Sequence, residues 1–154
     1  IDKSLFKNCI KIAKNAEDNN IGICIDTSCG TRGLYKYDNL RLASEIFEEI
    51  EKVTVVLLHL GGIRTLEASL LVQDTSNGYL ETSFTPVYFK NFNFQNTIQD
   101  ALKLVGSDRI IYASDYPYIS LEESLRINLK LFKECNFNDD ELEKIFYKNA
   151  LKLI

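Results

Sequence analysis

The sequence contains one histidine, His59, and it stands directly behind an apolar run, Val53 to Leu58. Three further apolar runs lead into acids: Ile21 to Ile25 into Asp26, Gly78 to Leu80 into Glu81, and Ile110 to Ala113 into Ser114-Asp115. Imidazole and carboxylate are the groups of acid–base chemistry, provided that they meet in space. Apolar runs of this length read as strands covered on both faces. Where such strands run parallel and alternate with helices, chemistry sits at their carboxyl ends. Each group also has a plain structural role open to it. Asp115 can cap the turn before the next helix, His59 can donate to a backbone carbonyl, and Asp26 can bond the amides of its own turn. The direction of Glu81 cannot be read from its alternation with Thr82 and Ser83. Pro117, just past Asp115, stops regular structure there.

The elements between these runs are helical by spacing. Leu5, Phe6, Cys9, Ile10, Ala13 and Ala16 mark one buried helix face over residues 4–19. Asp38 can cap a second helix carrying Leu40, Ala43, Ile46, Phe47 and Ile50. Residues 65–72 read as a shorter helix, and 97–105 as a longer one with Ile98, Ala101, Leu102 and Val105 inward. Between them, a third strand over Gly78 to Glu81 or Thr82 is followed by a long aromatic loop from Ser83 to about Phe94. Its rings (Phe84, Tyr88, Phe89, Phe92 and Phe94) either line a pocket or pack the loop onto the helices. A fourth strand is expected over 109–113. Ser120 with Glu123 forms a capping box for a helix to about Lys133. A last helix starts at Asn138 and turns Leu142, Ile145, Phe146 and Ala150 inward.

Strands recur at roughly 30-residue spacing, the interval of parallel βα units. The expected fold class is therefore α/β, with four parallel strands and flanking helices in a single domain, residues 1–154. Their polar ends share one edge and should converge over a common cavity.

Composition narrows the functional classes. A net charge of −4, with lysines scattered along the chain, gives no footprint for nucleic acid. No run approaches the ~18 apolar residues of a membrane span, and no signal-peptide pattern opens the sequence. Cys9, Cys24 and Cys135 lie in apolar periodic segments, and no CxxC occurs. This reads as reduced cysteine in the cytoplasm. Cys29 sits in a strand-end loop, yet no nucleophile motif surrounds it. A doubly wound nucleotide-binding sheet is disfavoured, because no Gly-rich strand-to-helix loop has the needed spacing. The sequence has no methionine and opens on Ile1-Asp2-Lys3, which sets the expectation of a piece of a longer protein.

Four stretches occur in order: Val55-Val56-Leu57-Leu58-His59-Leu60-Gly61-Gly62, Gly78-Tyr79-Leu80-Glu81-Thr82-Ser83, Asp108 to Pro117, and Glu143 to Leu153 with Asn149-Ala150. Together they resemble the C-terminal half of the amidohydrolase-2 group within the metal-dependent amidohydrolase superfamily. The resemblance implies half of an eight-stranded TIM-type (β/α)8 barrel with a divalent metal at the carboxyl ends of its strands. That metal is usually zinc; manganese and magnesium also suit carboxylate ligands. It implies a hydrolase of small amides, esters or lactones, or a related non-oxidative decarboxylase. Asp115 matches the aspartate after the last strand, which binds metal or takes a proton from its water. His59 matches the histidine after the sixth strand, which contacts metal or polarises substrate.

Asp26 stands where the fifth strand of the family ends in a histidine ligand. The family's His-x-His pair from its first strand is not in this sequence. Metal ligands expected on this basis are Asp115, His59 and Asp26, with Asp115 and His59 also catalytic. Arg32 and Arg64, in strand-end loops, could grip an anionic substrate group as a fork, and Tyr116 beside Asp115 is an expected substrate contact. For the arginines, a solvated surface position is the alternative. The other barrel half is expected from a further segment, another chain or a symmetric partner. The competing function is an inactive amidohydrolase-like barrel without metal, serving in binding or as structure.

Overall fold

The structure is a computed structural model and describes residues 3–28 and 37–153. Four short parallel strands form one sheet in the order β1-β2-β3-β4: β1 Ile23–Asp26, β2 Val55–Leu58, β3 Gly78–Glu81 and β4 Ile110–Ile111. Pairing places Ile25 beside Leu57, Leu57 beside Leu80, and Leu80 beside Ile110. Side chains alternate across a strand, so this row faces one side, and all four residues belong to the apolar core.

Helices cover that face. The helices are α1 Lys3–Asp18, α2 Asn39–Phe47, α3 Thr65–Gln73, α4 Thr85–Tyr88, α5 Gln95–Val105, α6 Leu121–Glu134 and α7 Asp139–Glu143, and all but α4 add residues to that core. Leu40, Ala43 and Ile46 of α2 and Ile98, Ala101, Leu102 and Val105 of α5 are buried, as their spacing predicts. Asp38 caps α2 by accepting from the Arg41 N–H at 3.1 Å. Ser120 caps α6 by accepting from the Glu123 N–H at 3.2 Å. No helix among the described residues is long and apolar enough to cross a membrane.

Three differences from the sequence reading stand out. A short helix, α4, interrupts the expected loop; Pro86 lies in its first turn, where a missing N–H costs nothing. β4 pairs with β3 over two residues only, and on its other edge the next amide, Tyr112 N–H, donates to the carbonyl of Ile145 at 2.9 Å. That bond explains the last helix. With the Ile145 carbonyl engaged elsewhere, the Asn149 N–H reaches back to Lys144 O at 2.9 Å, and Lys144–Lys148 widens into a π turn. Asn149, fully buried, then donates to Ser107 O at 2.7 Å and Ile110 O at 2.8 Å. The Asn149-Ala150 motif thus pins the start of β4.

Candidate functional site

All four strands run the same way, so their carboxyl ends lie along one edge. At the β1 end, Asp26 Oδ1 accepts from both the N–H and the O–H of Ser28, at 2.8 and 2.6 Å. This is the Asx-type turn that competes with a functional role for this residue. The side chain is 52% exposed. Thr27 is buried and braces the neighbouring strand, donating to Leu58 O at 2.5 Å and accepting from Gly61 N–H at 3.1 Å.

At the β2 end the backbone turns left-handed. His59 has φ 63° and Leu60 φ 53°, followed by Gly61 at φ 76° and Gly62 at φ 57°. A Cβ on Gly61 would stand 2.6 Å from that of Ala68, so glycine is required there by both conformation and space. Non-glycine residues at positive φ are uncommon. Six are described here. Asn20 and Asn136 follow helices, the ordinary place for such a cap. The other four (His59, Leu60, Phe84 and Asp115) all lie just beyond strand ends. Conformational strain of this kind persists where surroundings enforce it, and it gathers at working sites.

The enforcing residues around His59 come from the end of β3. Glu81 is 5% exposed and Ser83 3%. Glu81 Oε2 accepts from the His59 backbone N–H at 3.0 Å and from the Ser83 hydroxyl at 2.7 Å; Oε1 accepts from the Ser83 N–H at 2.5 Å. Thr85 donates to His59 O at 2.5 Å, and the Ser83 hydroxyl lies 2.7 Å from His59 Nδ1. Phe84 meets the imidazole edge-on, with ring centroids 5.9 Å apart. Four side chains of the 81–85 stretch, those of Glu81, Ser83, Phe84 and Thr85, therefore hold His59. On the other side of the ring, Nε2 lies 3.9 Å from Asp26 Oδ1. Burial pushes the Glu81 carboxyl above its ordinary value, and the hydrogen bonds from His59 and Ser83 oppose that rise without cancelling it. Partial burial, and then the Glu81 charge, push the Cys24 thiol up as well.

The remaining expected residues are placed differently. Asp115 is half-exposed at the end of β4; its carbonyl accepts from Ile119 N–H at 3.1 Å. Among the described residues, no group of three or more His, Cys, Asp or Glu is gathered to hold a metal ion. The structure thus brings His59 and Asp26 together and does not bring Asp115 in as a third. Tyr116 is 74% exposed beyond Asp115. Arg64 is engaged by carboxylates: Nη1 donates to Asp38 at 2.7 Å, while Nε and Nη2 donate to Glu67 at 2.9 and 2.5 Å. Arg32 and Cys29 lie outside the described residues. Of the loop aromatics only Phe84 reaches His59; Phe89, Phe92 and Phe94 pack on one another.

Sequence reasoning did not assign Glu81 and Ser83 to the site. Their signal was an acid and a hydroxyl two residues apart at a strand end, which fixes a common face but not which one. A cleft of about 660 Å³ lies elsewhere, between α1 and α2 over Phe6, Ile10, Lys14 and Arg41. Its lysine and arginine are partly matched by the Lys14–Glu49 and Arg41–Glu45 pairs.

Comparison with known proteins agrees with this architecture. The family model for amidohydrolase matches residues 22–154. An uncharacterised TIM-barrel protein from Bordetella bronchiseptica is 23% identical, with a TM-score of 0.73 over 99% of this chain and 50% of its own. An amidohydrolase from Burkholderia multivorans with bound zinc is 12% identical, with a TM-score of 0.71 over 94% of this chain and 56% of its own. A dihydroxybenzoic acid decarboxylase from a Polaromonas species, solved with manganese and 2-nitroresorcinol, is 16% identical, with a TM-score of 0.60 over 94% and 52%. At these identities the likeness shows the fold: half of a TIM-type barrel. The chain spans about half the length of the solved structures it matches. No curated protein matches it at a significant level.

Proposed function

The chain belongs to the amidohydrolase family, and on that premise we propose that it is the C-terminal part of a (β/α)8 barrel that hydrolyses a small amide, ester or lactone. Decarboxylation of an aromatic acid is the related reaction within the same proposal. The observation that supports it best is His59: a strained, nearly buried imidazole fixed at a strand end with Nε2 turned toward a second strand-end carboxylate.

A divalent ion fits this place in part. His59 Nε2 and Asp26 Oδ1, 3.9 Å apart, would be two of the donors that hold it. Further donors would have to come from outside the described residues. When bound, such an ion, zinc or manganese, supplies polarisation of the substrate carbonyl and an acidified water. This chain's own residues do the rest. His59 acts at Nε2, either toward the ion or toward the substrate. Asp115, separate from that pair and open to solvent, carries a proton to the leaving group. Phe84 closes one side of the imidazole against water. Tyr116 and Arg32 are the proposed substrate contacts from this half. Arg64 joins them only by exchanging a carboxylate partner for an anionic substrate group. The remaining strands come from outside these residues or from a second copy. The three described cysteines are free, which supports a cytoplasmic setting.

Metal analysis of the full-length protein, with assays on small amides, esters, lactones and an aromatic carboxylic acid, tests the reading. Near-stoichiometric zinc or manganese, with activity lost in Asp115→Asn, is the expected result. A folded protein with neither metal nor activity would instead establish an inactive barrel.

A further inference from the structure

We propose that the outer edge of β1 and the flank of α1 beside it form the one backbone-paired seam through which this half joins the rest of the barrel, and that the occupant is a parallel strand and helix of the same polypeptide leading into α1, not a second copy of this half. Assembly at this seam is independent of turnover.

The two outer edges of the sheet are built differently. Ile111 O receives the Thr82 N–H from the β3 side, so backbone alternation turns Ile110 and Tyr112 to the far side of β4. There Asn149 Nδ2 donates to Ile110 O at 2.8 Å, and Tyr112 N–H donates to Ile145 O at 2.9 Å. The last helical turns thus cover the outer side of β4. At β1, Ile23 N–H donates to Thr54 O at 2.8 Å on the β2 side, and the same alternation turns Cys24 outward. No strand pairs with that side among the described residues. Ile21-Gly22-Ile23-Cys24-Ile25 carries neither the charge nor the proline that guards a natural free edge. One edge is covered and the other is left ready for pairing.

The first helix repeats the asymmetry. Its Phe6 and Lys14 look toward α2, where Arg41 lies 6.0 Å from the Phe6 ring and Glu49 pairs with Lys14. Leu5, Cys9, Ile12 and Ala16 follow one another at i, i+4, i+7 and i+11. That spacing makes a second apolar stripe, on the flank turned away from α2. Ile12 on this stripe is 69% exposed, and Ile21 at the foot of β1 is also exposed. Single exposed apolar residues are ordinary, but a continuous stripe beside an open strand edge marks an interface.

Topology names the occupant. Strands are added in the order β1-β2-β3-β4, each on the same side of the last and each after a helix. Parallel strands joined in this way keep one handedness of crossover. Because α1 precedes β1 as α2 precedes β2, the strand before α1 belongs on the free edge of β1. The helix before that strand then meets the stripe from Leu5 to Ala16. A second copy offers no edge for parallel pairing, since its β4 is covered in the same way. The Bordetella TIM-barrel protein, half of which this chain spans, has the length that such added units need.

Thiol labelling of the full-length protein tests the seam. Ile12→Cys and Lys11→Cys are each alkylated with iodoacetamide under native conditions, with folding verified by circular dichroism, and the modified position is read by peptide mass spectrometry. Lys11 is exposed outside the stripe and gives the rate for an open helix position. Position 12 should react at least about a hundredfold more slowly than position 11, because a thiol in a packed seam reacts only when the seam opens. Comparable rates would overturn the proposal. So would protection that vanishes on dilution while sedimentation shows a dimer dissociating, which would give the seam to a second copy. Should Ile12→Cys fail to fold, deuterium exchange of the wild-type Cys24 amide decides: slow exchange supports a paired β1 edge, and exchange at the rate of an open amide refutes it. Neither readout involves metal or substrate, so the seam and the hydrolase reading can fail separately.

Discussion

The ends of the two inner strands and those of the two outer strands carry similar residues in opposite environments. At β2 and β3, Glu81 and Ser83 are buried, the His59 side chain is 18% exposed, and the three are bonded to one another. At β1 and β4, Asp26 is half in solvent with one oxygen turned back on its own loop, and Asp115 is also partly exposed. The strand order accounts for the contrast. β2 and β3 each have a neighbour on both sides, while β1 and β4 have one within the described chain. A strand end is organised by the strands beside it. The inner strands have strand neighbours on both sides, whereas β1 has one, and on the outer side of β4 the Asn149 amide and the Ile145 carbonyl take up Ile110 O and Tyr112 N–H.

The sharpest way to break this comparison is to remove one acid from each class. Glu81→Ala leaves three buried donors without their acceptor: the His59 N–H, the Ser83 N–H and the Ser83 O–H. It should cost about 3 kcal/mol or more in denaturant unfolding. Asp26→Ala, acting on an exposed turn, should cost no more than about 1 kcal/mol. Equal losses would remove the distinction between inner and outer ends. Next in size is Gly61→Ala. A methyl group 2.6 Å from the Ala68 side chain, at φ 76°, should destabilise by about 2 kcal/mol and broaden the His59 signals. An unchanged melting temperature would show that the β2 end is less tightly packed than described.

The smallest effect concerns the opposite end of β4. The Lys144 hydrogen bond, ahead of the Lys144 and Lys152 charges, holds the Asp108 carboxyl below its ordinary value despite slight burial. For a depressed carboxyl the stabilisation is present above the ordinary value and is lost as pH falls through the depressed one. Wild type should therefore exceed Asp108→Asn slightly at neutral pH and lose that margin in acid. Salt should erode it too, because the pair is exposed. A margin independent of pH would refute this origin.

The parallel sheet was legible because its central strand stretches are apolar: Val55-Val56-Leu57 and Ile110-Ile111 contain no polar residue to suggest a half-exposed strand. Helix faces were legible for the same reason, by period. The site was legible only as far as single positions allowed. His59 stood out because the sequence has one histidine. Glu81 did not, because period two puts it on the same face as Ser83 without saying whether that face is buried. Only the register of β3 between β2 and β4 decides that. The π turn was illegible because its cause, the Tyr112–Ile145 bond, spans more than thirty residues and leaves no local mark. Arg64 looked available because its partner Asp38 lies in another loop, far away in the sequence.

In the full-length protein, with folding verified, His59→Gln should lower kcat/KM for the best substrate by about 10²–10⁴-fold, the usual contribution of a positioned acid–base or ligating group. Activity within a few-fold of wild type would contradict the placement of catalysis at the end of β2.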